Sequence, residues 1–324
     1  MKSYILFAVT ALILAACSND ENLDNPNAPV ELRLTSSLEV QTRAVAYTQG
    51  TSLAEGEQVY AWVDDAGNNN PKYQARELTA TTGGGFTYTP MYFPQTNNGV
   101  SIYAMHGKFD PSFSEGNAFP GTDGVAFTVV ADQSGMGTAY TNSDLLYAAR
   151  QNVARTKDNV ELTFYHMLSK MEIAIVRGAG APELAADDAV AITDVVTDGT
   201  FKPTKTDIAD QATRQAMITA GSTQAAMLVS QKTCTGFGAA DVDYNEAIIV
   251  PQDMVGKKIE FKLADGGTLS YTIPAFTGTP GKAVFESGKR YIYHITLKLT
   301  GLEVTAQIED WTDGGSESGT AEME

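Results

Sequence analysis

Residues 160–176 read VELTFYHMLSKMEIAIV, and this stretch decides the fold. It is rich in β-branched and aromatic residues, and apolar positions alternate with polar ones on both sides of His166. Such a run predicts β-strands that bury one face. Shorter runs of the same kind recur along the chain, separated by Gly, Asn, Asp and Pro: EQVYAWVDD (57–65), GFTYTPMYF (85–93), VSIYAMHG (100–107), NEAIIVPQD (245–253) and RYIYHITLKLTGLEVTAQIEDW (290–311).

Many short strands with turn residues between them predict an all-β protein built of antiparallel β-sandwiches. Asp265-Gly266-Gly267 lies between two alternating runs and predicts a hairpin. Helical periodicity is weak, and short helices are expected only within 206–220 and 142–154. The polar segment RQNVARTKDN (150–159) predicts a boundary between an N-terminal domain, 44–157, and a C-terminal domain, 158–324.

The N-terminus, MKSYILFAVTALILAAC, has a lysine, a short apolar run and small residues before Cys17. The run is too short to span a membrane, so residues 1–16 are expected to be a signal peptide. Leu14 to Cys17 resembles a bacterial lipobox, which predicts lipidation of Cys17; an ordinary signal peptide that precedes a cysteine is the alternative. Residues 17–43 then form a polar tether and a first strand, whose alternating apolar positions are Val30, Leu32, Leu34, Leu38 and Val40.

Composition excludes some classes of function. The 324 residues carry a net charge of −17, which disfavours nucleic acid and anionic lipid surfaces, so membrane attachment would depend on the lipid. There are two cysteines. If Cys17 is acylated, Cys234 has no disulfide partner, and a buried or incidental thiol is a better interpretation of it than a nucleophile.

No catalytic motif stands out. His106, His166 and His294 are far apart and lack metal-ligand spacing, so neither a metal nor a cofactor is expected. His166 is better interpreted as a satisfied core or boundary residue. The segment DVDYNE (241–246) weakly resembles a calcium loop, through Asp241, Asp243 and Glu246, but lacks its glycine. Facing carboxylates of a glycosidase cannot be identified from sequence, and the chain is not expected to be an enzyme.

Several segments together resemble the fimbrillin family, the subunits of type V pili in Bacteroides-type bacteria. They are the lipobox, the acidic tether, Thr42-Arg43-Ala44, the run at 162–176 and the final YIYHITLKLTGLEVTAQIEDWTDGG (291–315). The resemblance implies two transthyretin-like β-sandwich domains. It also implies a lipoprotein precursor that reaches the outer membrane and ends in a cell-surface fimbrium that supports adhesion.

The same resemblance implies a maturation step. An Arg-specific protease would cleave between Arg43 and Ala44 and release the lipid, the tether and the first strand. A strand from a neighbouring subunit would then fill the vacated groove, giving a head-to-tail polymer. The candidate donor is the C-terminal strand with Leu302, Val304, Ala306 and Ile308, although its alternation fits equally a strand that stays in its own domain.

Alternative interpretations of Arg43 and of the protein's function remain open at this point. Arg43 could simply close a strand without being cleaved, and the protein could stay anchored through Cys17 as a ligand- or glycan-binding lipoprotein. Tyr88, Tyr92 and Phe93 are the candidate aromatic platform for that role, with core packing as the alternative. The resemblance also leaves open a ligand on a host or bacterial surface. A surface enzyme comes third.

Overall fold

A computed structural model describes residues 28–39, 51–95, 98–109, 113–134, 138–186, 189–237, 240–277, 280–298, 301–310 and 320–321. The predictions made for Cys17, Val40, Arg43 and Ala44 lie outside the described residues.

Within these ranges the chain forms twenty strands and two short helices. The first half contains β1 (Leu34–Leu38), β2 (Gln58–Asp65), β3 (Pro71–Ala80), β4 (Phe86–Thr87), β5 (Val100–His106), β6 (Val125–Thr128), α1 (Thr138–Ser143), β7 (Leu146–Val153) and β8 (Val160–His166). The second half contains β9 (Ser169–Arg177), β10 (Val190–Val196), β11 (Asp198–Phe201), α2 (Gln211–Ala216), β12 (Ile218–Ala220), β13 (Gln224–Leu228), β14 (Ser230–Phe237), β15 (Ala240–Ile249), β16 (Lys258–Lys262), β17 (Thr268–Thr272), β18 (Lys289–Lys298), β19 (Gly301–Asp310) and β20 (Thr320–Ala321).

The N-terminal part is a seven-stranded sheet with the order β1-β8-β7-β5-β2-β3-β4. Its first strand, β1, pairs in parallel with β8. On its other side the same segment forms bridges from Thr35 to Gly85 and from Glu31 to Tyr92, on either side of β4. The two edges of the sheet therefore meet, and the sheet curls around its own apolar core, which includes Val59, Leu78, Ile102, Leu146 and Phe164.

The C-terminal part packs a six-stranded sheet, β14-β15-β9-β18-β19-β20, against a four-stranded sheet, β13-β10-β16-β17. Alternate residues of β9, Met171, Ile173 and Ile175, enter the core between them. A third sheet, β12-β11-β6, contributes Phe201 to the same core and draws β6 from the first half of the chain. Because β18 pairs in parallel with β9, the six-stranded sheet contains one parallel pair.

The all-β fold predicted from the sequence is confirmed. The Asp-Gly-Gly turn joins β16 and β17 as an antiparallel hairpin, and Gly266 has a φ of +90°, which glycine adopts without strain. A helix within 206–220 is present as α2, capped by Asp210, whose side chain accepts a bond from the Thr213 N–H. The helix expected within 142–154 is wrong: most of that segment is β7, because pairing with β5 and β8 outweighs its local helical pattern.

The sequence 160–176 links the two cores. Its first half, β8, pairs with β1 and β7 and contributes Val160, Leu162 and Phe164 to the N-terminal core. Its second half, β9, lies in the six-stranded C-terminal sheet. On this pairing we propose that the domains divide between β8 and β9, rather than at 157/158, because the polar segment before β8 is only a turn within the first sheet.

A buried ionic cluster lies where the second sheet begins. The ammonium of Lys170 is 2.7 Å from a carboxylate oxygen of Glu246 and 3.1 Å from one of Glu172, and an Arg290 nitrogen is 3.7 Å from Glu172. All four residues are buried. Burial disfavours the charge on Lys170, but Glu246 and Glu172 outweigh it and raise the pKa of the ammonium above its usual value.

We expect Lys170→Met to lower the free energy of unfolding by about 3–5 kcal/mol, because it leaves two buried carboxylates without their shared cation. Denaturant titration of the purified chain measures this. The matched control is Lys298→Met, which removes a cation paired with Glu303 at the surface and should change stability by less than about 1 kcal/mol. Equal losses in both variants would contradict the prediction.

Candidate subunit-assembly site

The segment from Val30 to Glu39, called here the closing segment, is hydrogen-bonded along both of its edges. On one side Val160 N–H donates to the Arg33 carbonyl, and Glu39 N–H donates to the Phe164 carbonyl, both at β8. On the other side the bonds run to the loops around β4: Leu32 N–H to Met91 O, Phe93 N–H to Val30 O and Ser36 N–H to Gly84 O. A strand held in this way occupies a slot in a closed sheet, not an ordinary sheet edge.

The side chains of the closing segment follow the predicted alternation. Val30, Leu32 and Leu34 are at most 3% exposed and belong to the N-terminal core. Leu38 is partly buried and packs against the same core. Each fully buried aliphatic side chain contributes about 1.5–3 kcal/mol, so this segment supplies a substantial share of the N-terminal core.

Tyr88 holds the middle of the closing segment. Its hydroxyl donates to the Leu32 carbonyl at 2.6 Å and accepts from the Leu34 N–H at 3.0 Å. Burial raises the pKa of the Tyr88 phenol, so the hydroxyl stays protonated and able to donate at neutral pH. Phe93 is 3% exposed in the core and only Tyr92, at 41%, faces solvent. The three aromatic residues therefore do not form an exposed platform. No sequence pattern indicated the contact between Tyr88 and the first strand.

A tight contact surrounds Ser36. Gly84 has a φ of +83°, and a Cβ added there would lie 2.8 Å from the Ser36 carbonyl oxygen. Ser36 itself is buried, and its hydroxyl donates to the Gly84 carbonyl at 3.2 Å. Small residues on both sides of this contact let the two backbones approach each other.

The closing segment ends against the C-terminal domain. A carboxylate oxygen of Glu39 is 3.8 Å from a guanidinium nitrogen of Arg214, in α2. Arg214 is buried, donates to the carbonyls of Ile208 and Ala209, and lies over the ring of Tyr165. The first strand thus bridges the two domains through an ion pair that sequence patterns do not reveal.

The candidate donor strand is β19, which pairs with β18 along its length in its own domain. Leu302 and Val304 are buried in the C-terminal core, and Ala306 and Ile308 pack partly buried against it. On its other side β19 is bordered only by the two-residue β20, among the residues that the structure describes.

The histidines, the acidic segment 241–246 and Cys234 were the other candidate site residues. His166 is buried and bonded to Asp144, as expected for a satisfied core residue, and His106 bonds to the Asp144 backbone. Asp241, Asp243 and Glu246 lie in β15 rather than in a loop, and Glu246 binds Lys170. Cys234 lies in β14. The described residues bring together no group of three His, Cys, Asp or Glu that could hold a metal, and none of the helices in these ranges has the length and apolarity to cross a membrane.

The fold and this site define a class of protein: two β domains in which an N-terminal strand completes the first sheet. A model of the fimbrillin-like family matches residues 42–311, most of the chain, and the chain belongs to this family. It is therefore a fimbrial protein, and the resemblance noted in the sequence is confirmed.

The chain is also similar to individual proteins. It is 26% identical to a candidate fimbrium subunit of Bacteroides uniformis, Fim1C, over 99% of both chains. Its fold resembles crystal structures of candidate cell adhesion proteins from Bacteroides uniformis (TM-score 0.59, 20% identity, 88% of this chain and 98% of the other) and Bacteroides ovatus (0.60, 21%, 89% and 99%). At these identities the two structures establish the fold alone.

We expect Tyr88→Phe to lower the free energy of unfolding of the precursor by about 1–3 kcal/mol, because it removes the hydroxyl that serves two backbone groups of the closing segment. Denaturant titration checks the value. Tyr73→Phe is the matched control, since the bond that the Tyr73 hydroxyl accepts, from Tyr92 N–H, is exposed. A smaller loss for Tyr88→Phe than for Tyr73→Phe would refute the assigned role.

Proposed function

We propose that the protein is the lipoprotein precursor of a pilus subunit, activated by removal of its first strand and polymerised by strand exchange. In this proposal Cys17 carries the lipid that holds the precursor at the outer membrane. An Arg-specific protease cleaves between Arg43 and Ala44. The observation that carries the proposal is the closing segment, which lies upstream of that bond and fills a slot in the first sheet.

Cleavage alone would leave the N-terminal domain incomplete. Loss of Val30, Leu32 and Leu34 would open an apolar groove, and the β8 and β4 edges would lose their backbone partners. An extended strand with apolar side chains at alternate positions restores both kinds of contact at once. The groove is thus a binding site for another strand, and removal of the first strand is what creates it.

Strand exchange of this kind gives a polymer with a direction. The groove is in the N-terminal domain, and the candidate donor, β19, is at the end of the C-terminal domain. Because the donor and acceptor surfaces differ, each subunit binds the next head to tail, and the chain of contacts does not close on itself by symmetry. Adhesion then depends on the assembled fimbrium, with no reaction catalysed by the subunit.

Arg43→Ala tests the processing step in producing cells. We expect the wild-type chain in sheared, heat-resistant polymers to begin at Ala44, whereas Arg43→Ala should stay lipidated at Cys17 and yield no polymer. Mass spectrometry of the N-termini in the sheared and membrane fractions measures both outcomes. Arg33→Ala is the matched control, because Arg33 is an exposed residue of the same segment whose side chain pairs with Glu31 at the surface.

The experiment separates the alternatives. Polymers that begin at Ala44 only in the wild type and the Arg33→Ala variant support cleavage and assembly. A lipidated Cys17 as the sole N-terminus in every fraction of wild-type cells would overturn the proposed cleavage and polymerisation and leave a membrane-anchored protein.

A second candidate function is binding of a small polar ligand such as a sugar, and one cleft favours it. A volume of about 480 Å³ is lined by Asp64, Ala66, Asn69, Ser101, Tyr103, Gln151, Asn152 and Lys205. Asn69 and Asn152 both have left-handed backbones, with φ of 56° and 54°, a conformation that asparagine adopts more readily than most other non-glycine residues. Asp64 is buried and pairs with Lys205.

Saturation-transfer NMR with free glucose, galactose and mannose tests this cleft. If it binds sugar, the signal of at least one hexose should fall severalfold in Asp64→Asn and persist in Tyr92→Ala, which alters the exposed aromatic residue outside the cleft. No signal from the wild-type chain, or equal loss in both variants, would dismiss the second function. Asp64 is the one carboxylate among the described residues that line the cleft, so facing carboxylates of a glycosidase are not formed there.

A further inference from the structure

We propose that the incoming strand of a second copy binds in one register, with residues 302–309 in the places of residues 32–39. In this register Ala306 occupies the tight position of Ser36, and Glu309 replaces Glu39 as the partner of Arg214. The inference rests on the proposed strand exchange and adds to it the residues that fix the alignment between subunits.

The two segments correspond in sequence at every position of this alignment that faces the groove. Residues 32–39 read LRLTSSLE and residues 302–309 read LEVTAQIE. Apolar residues match at Leu32 and Leu302, at Leu34 and Val304, and at Leu38 and Ile308. Small residues match at Ser36 and Ala306, and a glutamate ends both segments. Because the match runs in the same chain direction, the incoming strand would lie parallel to β8, as β1 does.

The size of position 36 excludes slipped alignments. Side chains alternate across a strand, so a slip must be by two residues to keep the apolar face inward. A slip in either direction places Val304 or Ile308 at position 36, where the side chain of Ser36 is buried and its hydroxyl lies 3.2 Å from the Gly84 carbonyl. A branched side chain at this closely packed contact is expected to cost about 1–3 kcal/mol. Among the four groove-facing residues of the donor, Ala306 is the one small enough for this position.

Charge provides the second constraint. Cleavage at Arg43 removes Glu39 and leaves the buried guanidinium of Arg214 without the carboxylate 3.8 Å away. A buried cation that loses its partner is destabilising, so a strand that returns a carboxylate to this position is favoured over one that does not. In the aligned register Glu309 provides that carboxylate. A two-residue slip in one direction would instead place Gln307 at position 39. A slip in the other direction would place a residue beyond 302–309 there.

The match between the two segments does not extend to positions 30 and 31. Position 30, where Val30 is buried, would receive Thr300 from the incoming strand, and position 31 would receive Gly301. The correspondence therefore begins at Leu302 and covers positions 32–39 of the groove.

Cysteine cross-linking in assembled pili tests the register with the full-length protein. Thr35 and Glu161 are direct partners across β1 and β8, so Thr305 of one subunit should lie beside Glu161 of the next. In a Cys234→Ser background, the pair Thr305→Cys and Glu161→Cys should give a ladder of disulfide-linked subunits on non-reducing gels. The matched controls pair Glu161→Cys with Glu303→Cys or with Gln307→Cys. In the proposed register each of these donor residues is two positions away from the residue beside Glu161, which separates the Cα atoms by about 8 Å, beyond disulfide reach.

The Arg214 contact is tested by a double-mutant cycle. Glu309→Gln should lower the fraction of polymer that survives heating in detergent by about tenfold, which corresponds to about 1.4 kcal/mol. Glu303→Gln, which falls at the exposed position of Arg33, should leave that fraction unchanged. In an Arg214→Met background Glu309→Gln should have no further effect, and Arg214→Lys, which keeps the charge, should restore the difference. Thermal unfolding of each precursor controls for folding.

The outcomes separate this inference from the function on which it rests. A ladder that is strongest with Glu303→Cys or Gln307→Cys overturns the register but leaves strand exchange standing. Equal effects of Glu309→Gln and Glu303→Gln overturn the role of Arg214. Absence of polymers that begin at Ala44, in the unmodified chain, is instead the failure of the proposed function itself.

Discussion

The N-terminal domain depends on one strand that closes its sheet. The segment from Val30 to Glu39 pairs with β8 on one side and with the loops around β4 on the other, while Val30, Leu32 and Leu34 enter the core. Backbone bonding along both edges leaves no free sheet edge at this place, and the apolar side chains make the strand part of the core. The domain is complete because of a segment that, on the proposed processing, belongs to the precursor and not to the mature subunit.

On the proposed strand exchange, this arrangement lets a folded precursor carry its own assembly site in a filled state. The chain fills its own groove with the closing segment, so the apolar surface of the groove is covered and edge-to-edge association at this place is prevented. Tyr88 and Gly84 hold the segment through backbone contacts, which any strand of suitable shape can make. Arg214, in contrast, pairs with a carboxylate at one position, Glu39, so in the proposed register it would distinguish between alignments that the backbone bonds accept equally.

The two domains are joined through the same region. The run at 160–176 passes from the closed sheet into the C-terminal sandwich as β8 and β9. The buried cluster of Lys170, Glu172 and Glu246 begins four residues after the end of β8. The ion pair of Glu39 and Arg214 connects the closing segment with α2 of the C-terminal domain. Occupancy of the groove and the contact between domains are therefore physically linked.

The sequence by itself determined the all-β class, the strands of the clearly alternating runs, the hairpin at Gly266 and the buried face of the first strand, because alternation of apolar residues is a local property of the chain. It also supplied the family, through motifs at Cys17, Arg43 and the two long β runs. Only the tertiary structure decided that 146–153 is a strand, that Tyr88 binds the closing segment, and that Lys170, Glu39 and Arg214 find buried partners. These features join residues more than fifty positions apart or depend on burial, and local patterns carry no information about which distant segments will pack together.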